Sequence, residues 1–87
     1  GRRSKDHFVY AIECGDAVKI GHSVDPHGRL LALQTANYEP MWLRWTDFAG
    51  KTKTQAENRE AALHKEFKHL HIRGEWFDKG VLDYLTL

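Results

Sequence analysis

FVYAIECGDAVKIGHSVDPHGR, residues Phe8 to Arg29, is the stretch around which the rest of the chain arranges itself. Two apolar runs, Phe8 to Ile12 and Val18 to Gly21, flank the polar segment Glu13-Cys14-Gly15-Asp16. Gly-Asp is the punctuation of a tight reversal, so the stretch predicts a β-hairpin. Side chains alternate faces along a strand, and directly opposed residues share a face. If Val9, Ala11, Val18 and Ile20 turn into a core, Tyr10 and Lys19 turn together to the other side. Gly21 ends the second strand. Asp25-Pro26 then supplies a capping acid and a proline at the first helical position, so a helix carrying Arg29 in its early turns begins there. A tyrosine, a lysine and an arginine converge from three elements within about twenty residues.

Working outward, the segment from Asp25 to about Thr35 carries Leu30, Leu31 and Leu33, an apolar stripe at helical spacing that predicts a core-facing helix. Its Gly28 predicts an irregular first turn. Met41 to Phe48 predicts a third strand, with Met41, Leu43 and Trp45 on one side and Trp42, Arg44 and Thr46 on the other. Thr54-Gln55-Ala56-Glu57 has capping-box spacing and predicts the start of a long helix. Ala56, Leu63, Phe67 and Leu70 set its packed side, and Lys68 and His69 fall in its last turn. His71 to Phe77 reads as an extended or irregular link. Asp78 can cap a short final helix in which Val81, Leu82 and Leu85 close the core. The expected fold class is α+β, a small three-stranded antiparallel sheet flanked by helices.

The chain has 87 residues, 41% hydrophobic and 29% charged, with a net charge of +1 and one cysteine. That length holds one modest core, read as a single domain over residues 8–87 behind a basic N-terminal arm, residues 1–7. The arm is either a phosphate contact or a solvated end. No apolar run approaches the roughly 20 residues that span a bilayer, so no membrane role is expected. Cys14 has no partner for an internal disulfide and no signal-peptide pattern opens the chain, so an intracellular, cytoplasmic setting is the expectation. The small net charge does not by itself argue for nucleic acid, whose non-specific affinity grows with the number of phosphates neutralised.

Phe8-Val9-Tyr10 and Lys19-Ile20-Gly21 resemble the two strand motifs of the GIY-YIG nuclease superfamily. Glu60-Ala61-Ala62-Leu63-His64-Lys65-Glu66-Phe67, followed by Gly74-Glu75-Trp76-Phe77, resembles the phage-type branch of that superfamily, also seen in a domain named for meiotically up-regulated genes. The resemblance runs from about Phe8 to Leu85. It implies a metal-dependent endonuclease hydrolysing phosphodiester bonds in DNA, bacterial or phage-encoded, or nuclear in a eukaryote. Tyr10 would be the general base and Arg29 would contact the scissile phosphate. His64 would lie near the active site as a proton carrier or phosphate donor. Glu75 would be the single carboxylate ligand of Mg2+ or Mn2+, ions that take few protein oxygens and keep several waters. Lys19 stands where the second motif usually carries tyrosine, and His22 where other branches carry a basic residue, so Lys19, His22 or His64 would assist Tyr10.

Each of these residues has a plainer reading from its own chemistry. Tyr10 in a half-buried strand packs and finds its hydroxyl any partner. Beside Lys19, however, an ammonium would lower the phenol's pKa towards a usable base. His22 reads equally as a loop histidine and Arg29 as an exposed helix arginine. His64 sits at the border of an apolar stripe, and Glu75 reads as a surface glutamate between a turn and two aromatics. His64, His69 and His71 do not read as structural zinc, which takes four closed ligands. Two functions therefore stand side by side, an endonuclease and a non-catalytic nucleic-acid or protein-binding module on the same fold. Base specificity needs an element seated in a groove, so a homodimer or a partner domain would have to supply it.

Overall fold

The first hairpin forms as its sequence dictates. In a computed structural model, which describes residues 5–87, β1 (His7–Cys14) pairs antiparallel with β2 (Ala17–Ser23) across a turn in which Gly15 takes a φ of 60°. Residues 1–4, most of the basic arm, lie outside the described residues. The chain continues through α1 (Pro26–Thr35), β3 (Met41–Gly50), α2 (Lys53–Glu66), a 3-10 turn (Lys68–Leu70), β4 (His71–Arg73), β5 (Trp76–Asp78) and α3 (Val81–Leu85).

Among the described residues the sheet has five antiparallel strands in the order β3-β1-β2-β5-β4, not three. The segment read as a link, His71 to Phe77, holds both additional strands. Each is only three residues long and Gly74 turns between them at a φ of 52°, so alternation has no length over which to become visible. The α+β class and three helices stand.

Val9, Ala11, Val18 and Ile20 face one way and pack with Leu63 and Phe67 of α2, Phe77 and Val81. Tyr10 and Ile12 face the other way and pack with Met41, Leu30, Leu33, Leu43 and Trp76, beneath α1. The predicted division of β3 is broken by a β-bulge. Ala11 opposes Trp45 while Ile12 opposes Leu43, which leaves Arg44 as the extra residue and reverses the alternation. Met41 and Leu43 therefore lie on the α1 side and Trp45 joins the α2 side.

Several local expectations also shift. The cap of α2 is Thr52 with Gln55, not Thr54 with Glu57: Gln55 N donates to Thr52 Oγ1 at 3.1 Å, and Thr52 N returns a bond to Gln55 Oε1. Lys68 and His69 follow α2 in the 3-10 turn, so His64 and Lys65 occupy its last turn. The first turn of α1 is regular, capped by Asp25 Oδ1 accepting from Gly28 N at 3.0 Å. A Cβ on Gly28 would run into Asp25 Oδ2 and displace that cap. Of the α1 stripe, Leu30 and Leu33 pack but Leu31 is 61% exposed. Gly80 starts α3, with Asp78 Oδ1 accepting from its N–H at 2.8 Å.

Candidate active site

The site lies where β5 stops and β2 runs on. β5 pairs with Ala17, Val18 and Lys19 only, so from Ile20 onward β2 has an open edge on that side. An antiparallel residue presents its N–H and C=O to the same neighbour. Ile20 N donates to Glu75 O at 2.9 Å, and the place of the next strand residue is taken by His64, whose Nε2 lies 3.0 Å from Ile20 O. The His64 ring also meets Phe77 edge-on, with centroids 4.8 Å apart. His64 thus closes the ladder and ties α2 to β2 beside Gly21.

Gly21 is the pivot. It opposes Tyr10 across the β1–β2 ladder, and a Cβ there would lie 2.5 Å from the Tyr10 hydroxyl and 3.1 Å from Glu75 Oε1. Only glycine leaves room for these two side chains to approach over the strand. Arg29, on the exposed side of α1, comes within hydrogen-bonding reach of the Tyr10 phenol. Lys19 Nζ lies 3.3 Å from Glu75 Oε1 and 5.4 Å from the centre of the Trp76 ring. Tyr10, Lys19, Arg29 and Glu75 therefore gather around one point. His22, on the opposite face of β2, points to α2, with Nε2 3.9 Å from Glu60 Oε1.

The electrostatics differ from the expectation for Tyr10. Its pKa is raised, not lowered: burial is the largest cause, the carboxylates of Glu75 and Glu60 add to it, and Arg29 opposes them. Lys19 does not deliver its charge to the phenol because its ammonium is drawn to Glu75. The resting residue is a neutral phenol, and Tyr10 is only 1% exposed.

Glu60 is the residue that the sequence reading left out of the site. It lies between His22 and His64, whose Nε2 atoms are 3.9 and 3.6 Å from its two oxygens, and the Glu75 carboxyl adjoins it. Its pKa is pushed up to about 7, first by burial and then by Glu75, with Lys19 pulling the other way. The signal was present in the periodicity. Positions 60, 63 and 67 share one helical face, so Glu60 is an acid on the same stripe as Leu63 and Phe67.

A divalent cation would find at this site one partly open carboxylate, Glu75, whose side chain is 39% exposed. Among the described residues no cluster of three His, Cys, Asp or Glu is placed to hold a metal ion. The donor set fits Mg2+ or Mn2+ bound by one carboxylate, waters and a phosphate of the substrate, and does not fit a cage built by the protein alone. On the α1 side, a concavity of about 350 Å3 opens between Phe8, Val24, Pro26, His27 and Thr46, none of them among the four residues gathered at Gly21.

No helix among the described residues is long and apolar enough to cross a membrane. Comparison with curated proteins and with solved structures returned no match. The T5orf172 domain, a phage-associated domain related to nucleases, matches residues 7–85, which takes in every strand and helix described above. By that match the chain belongs to the T5orf172 domain family.

Proposed function

We propose that the chain is a small endonuclease of the GIY-YIG type that hydrolyses phosphodiester bonds in DNA with Mg2+ or Mn2+. The observation that carries this reading is the meeting of Tyr10, Lys19, Arg29 and Glu75 around Gly21. A phenol, two cations and an accessible carboxylate can supply a base, phosphate contacts and a metal ligand for water attack on phosphorus, and no feature of packing needs all four at one point. The membership of a nuclease-related family supports the same direction.

In this reading Arg29 leaves the phenol to grip the scissile phosphate with its planar fork, and stabilises the negative charge that grows there. Tyr10, uncovered by that movement, orients the attacking water and accepts its proton as the phenolate. Lys19 holds Glu75 in the resting site and turns to the phosphate when Glu75 is engaged. A cation held by Glu75 would neutralise charge on the non-bridging and leaving oxygens.

One observation favours the second reading, a binding module that does not cut: Tyr10 is enclosed and held neutral. A plasmid-nicking assay in Mg2+, Mn2+ and chelator separates the two. Cleavage that requires the cation is expected. Glu75→Ala should lower it about a thousandfold or more, since a charge-neutralising cation contributes several kcal/mol to the transition state. Binding without metal should hold or improve, because a negative charge near phosphate is lost. Cleavage undiminished in chelator would overturn the metal assignment, and a wild-type protein that binds but never cuts would establish the module.

A further inference from the structure

β3 forms one edge of the sheet, and among the described residues nothing pairs with its outer side. An edge ten residues long is a template for another strand, and proteins usually shorten such an edge or interrupt it with proline. Here Pro40 precedes the strand and none lies within it. The side chains are those of an interface: Trp42 and Phe48 are half exposed, Arg44 stacks over Trp42 at 5.5 Å, and Thr46 and Asp47 are exposed. Aromatics interleaved with cations could also suit a nucleic-acid strand. The charges argue otherwise, since Arg44 is held by Glu13 at 2.6 Å and Lys51 by Asp6, which leaves no excess of positive charge to draw phosphates.

The strand is complementary to itself. In an antiparallel pair of identical strands related by a two-fold axis, one residue opposes its own copy and every opposed pair shares a face. Tyr10 opposes Thr46, Phe8 opposes Phe48 and Ile12 opposes Leu43, so Thr46, Phe48 and Leu43 lie on the α1 face. Trp42, Trp45, Asp47 and Ala49 lie on the α2 face, and Arg44, bonded to Glu13, joins them. A pair centred on Thr46, at the middle of the strand, passes over the bulged Arg44 as β1 does and matches every face. Phe48 then meets the partner's Leu43 and Trp42 meets the partner's Ala49. Asp47 meets the partner's Trp45, with the cation of the partner's Arg44 beside it. Asp47 also has Arg59 at 3.4 Å, and a carboxylate accepts from two guanidiniums. Centring on Trp45 instead would oppose Thr46 to the partner's Arg44, from different faces.

We propose that β3 pairs antiparallel with β3 of a second copy of this chain, centred on Thr46, to make a homodimer on one continuous sheet. A two-fold axis normal to the sheet keeps both α1 faces, and both Tyr10 clefts, on the same side. Because Tyr10 opposes Thr46, the two Tyr10 residues lie in one row three strand spacings apart, about 14 Å. That is the scale of the DNA major groove, about 12 Å across. On the nuclease reading, on which only this consequence rests, one dimer cuts both strands of a duplex in a single encounter.

Sedimentation equilibrium of wild type from micromolar to millimolar concentration should show monomer and dimer in exchange. Asp47→Arg and Arg44→Glu each set like charges against each other at both symmetric contacts, and each should raise the dimer dissociation constant about tenfold or more. Mixed one to one, the two variants set opposite charges at both contacts and should recover a hybrid dimer, which misfolding of either cannot produce. With Cys14→Ser removing the native thiol, Thr46→Cys should link two copies under mild oxidant, since opposed Cα atoms about 4.5–5.5 Å apart fit a disulfide. Wild type that stays monomeric at millimolar concentration, a dimer indifferent to both charge substitutions, or a dimer that Thr46→Cys does not link would overturn the proposal. Tryptophan fluorescence that a single-stranded oligonucleotide quenches in monomeric wild type but not in Trp42→Phe would overturn it in favour of a base-stacking surface. In the plasmid assay wild type should release linear product from the earliest times, and Asp47→Arg should accumulate nicked circles first. If wild type cuts nothing, the nuclease reading falls, and sedimentation and cross-linking still decide the dimer. If both proteins pass through nicked circles alike, the paired cut is refuted.

Discussion

The two faces of the sheet are built from the same strands and packed to different standards. On the α2 face Val9, Ala11, Val18, Ile20, Leu63, Phe67, Phe77 and Val81 are all buried. On the α1 face the buried set is Tyr10, Ile12 and Met41, and no residue of α1 itself is buried. One face thus carries the continuous apolar contact that holds a small domain together. The other is left free to hold a phenol, two cations and a carboxylate that would be unfavourable inside a core. The open edge of β2 beyond Lys19 lets Glu60, from the packed side, reach Glu75 and influence what happens on the loose one.

The largest test of this contrast is a matched pair of leucines. Leu63→Ala should destabilise the domain by about 2–5 kcal/mol, a large share of the stability available to a chain of this size. Leu30→Ala, from half-buried α1, should lose less than half as much, because the site collapses into solvent without leaving a closed cavity. Urea midpoints measure both. Equal losses would show that α1 is as firmly docked as α2.

A smaller effect should appear on varying pH, because Glu60 is held at about 7 against an ordinary 4.5. Between these values the folded protein keeps a proton that the unfolded chain releases, so stability falls as pH rises through this window and is fullest below it. The size is on the order of 3 kcal/mol. Glu57, Glu75, Lys19, His22 and His64 face or surround this carboxyl. Glu60→Gln, which cannot ionise, should flatten this part of the curve and exceed wild type in stability at pH 8. Parallel curves for the two proteins from pH 5 to 8 would break the assignment.

How far the sequence could be read follows from the length of each pattern. The hairpin, the shared face of Tyr10 and Lys19, and α2 were legible because alternation or helical spacing persists over seven or more residues. β4 and β5 were not, since three residues carry no period. Trp45 was assigned to the wrong face because a bulge at Arg44 shifts the register, and that shift comes from pairing with β1 rather than from β3's own sequence. The raised pKa of Tyr10 was hidden for a similar reason. Adjacency on a strand face brought Lys19 near, but Glu75, arriving from 56 positions later in the chain, claims its charge. Glu60 was within reach of the sequence as an acid on an apolar stripe, and its partners were not.

The smallest expected change in stability belongs to Tyr10, and it accompanies the sharpest expected change in function. Tyr10→Phe keeps the ring that packs against Ile12 and Met41 and removes only the hydroxyl. The partner of that hydroxyl, Arg29, is exposed and is rehydrated when the phenol is lost, so the change in stability should stay within about 1 kcal/mol. Under the nuclease reading, cleavage should vanish. The wild-type pH profile should carry the same signature: because the phenol's pKa is raised above 10, the reactive phenolate increases about tenfold per pH unit through the neutral and mildly alkaline range without levelling off. Residual activity in Tyr10→Phe, if present, should lack that slope. A variant that cuts at the wild-type rate with the wild-type slope would make Tyr10 a packing residue on both faces of the comparison. The base would then have to be sought on the α2 side of the β2 edge, among His22, Glu60 and His64.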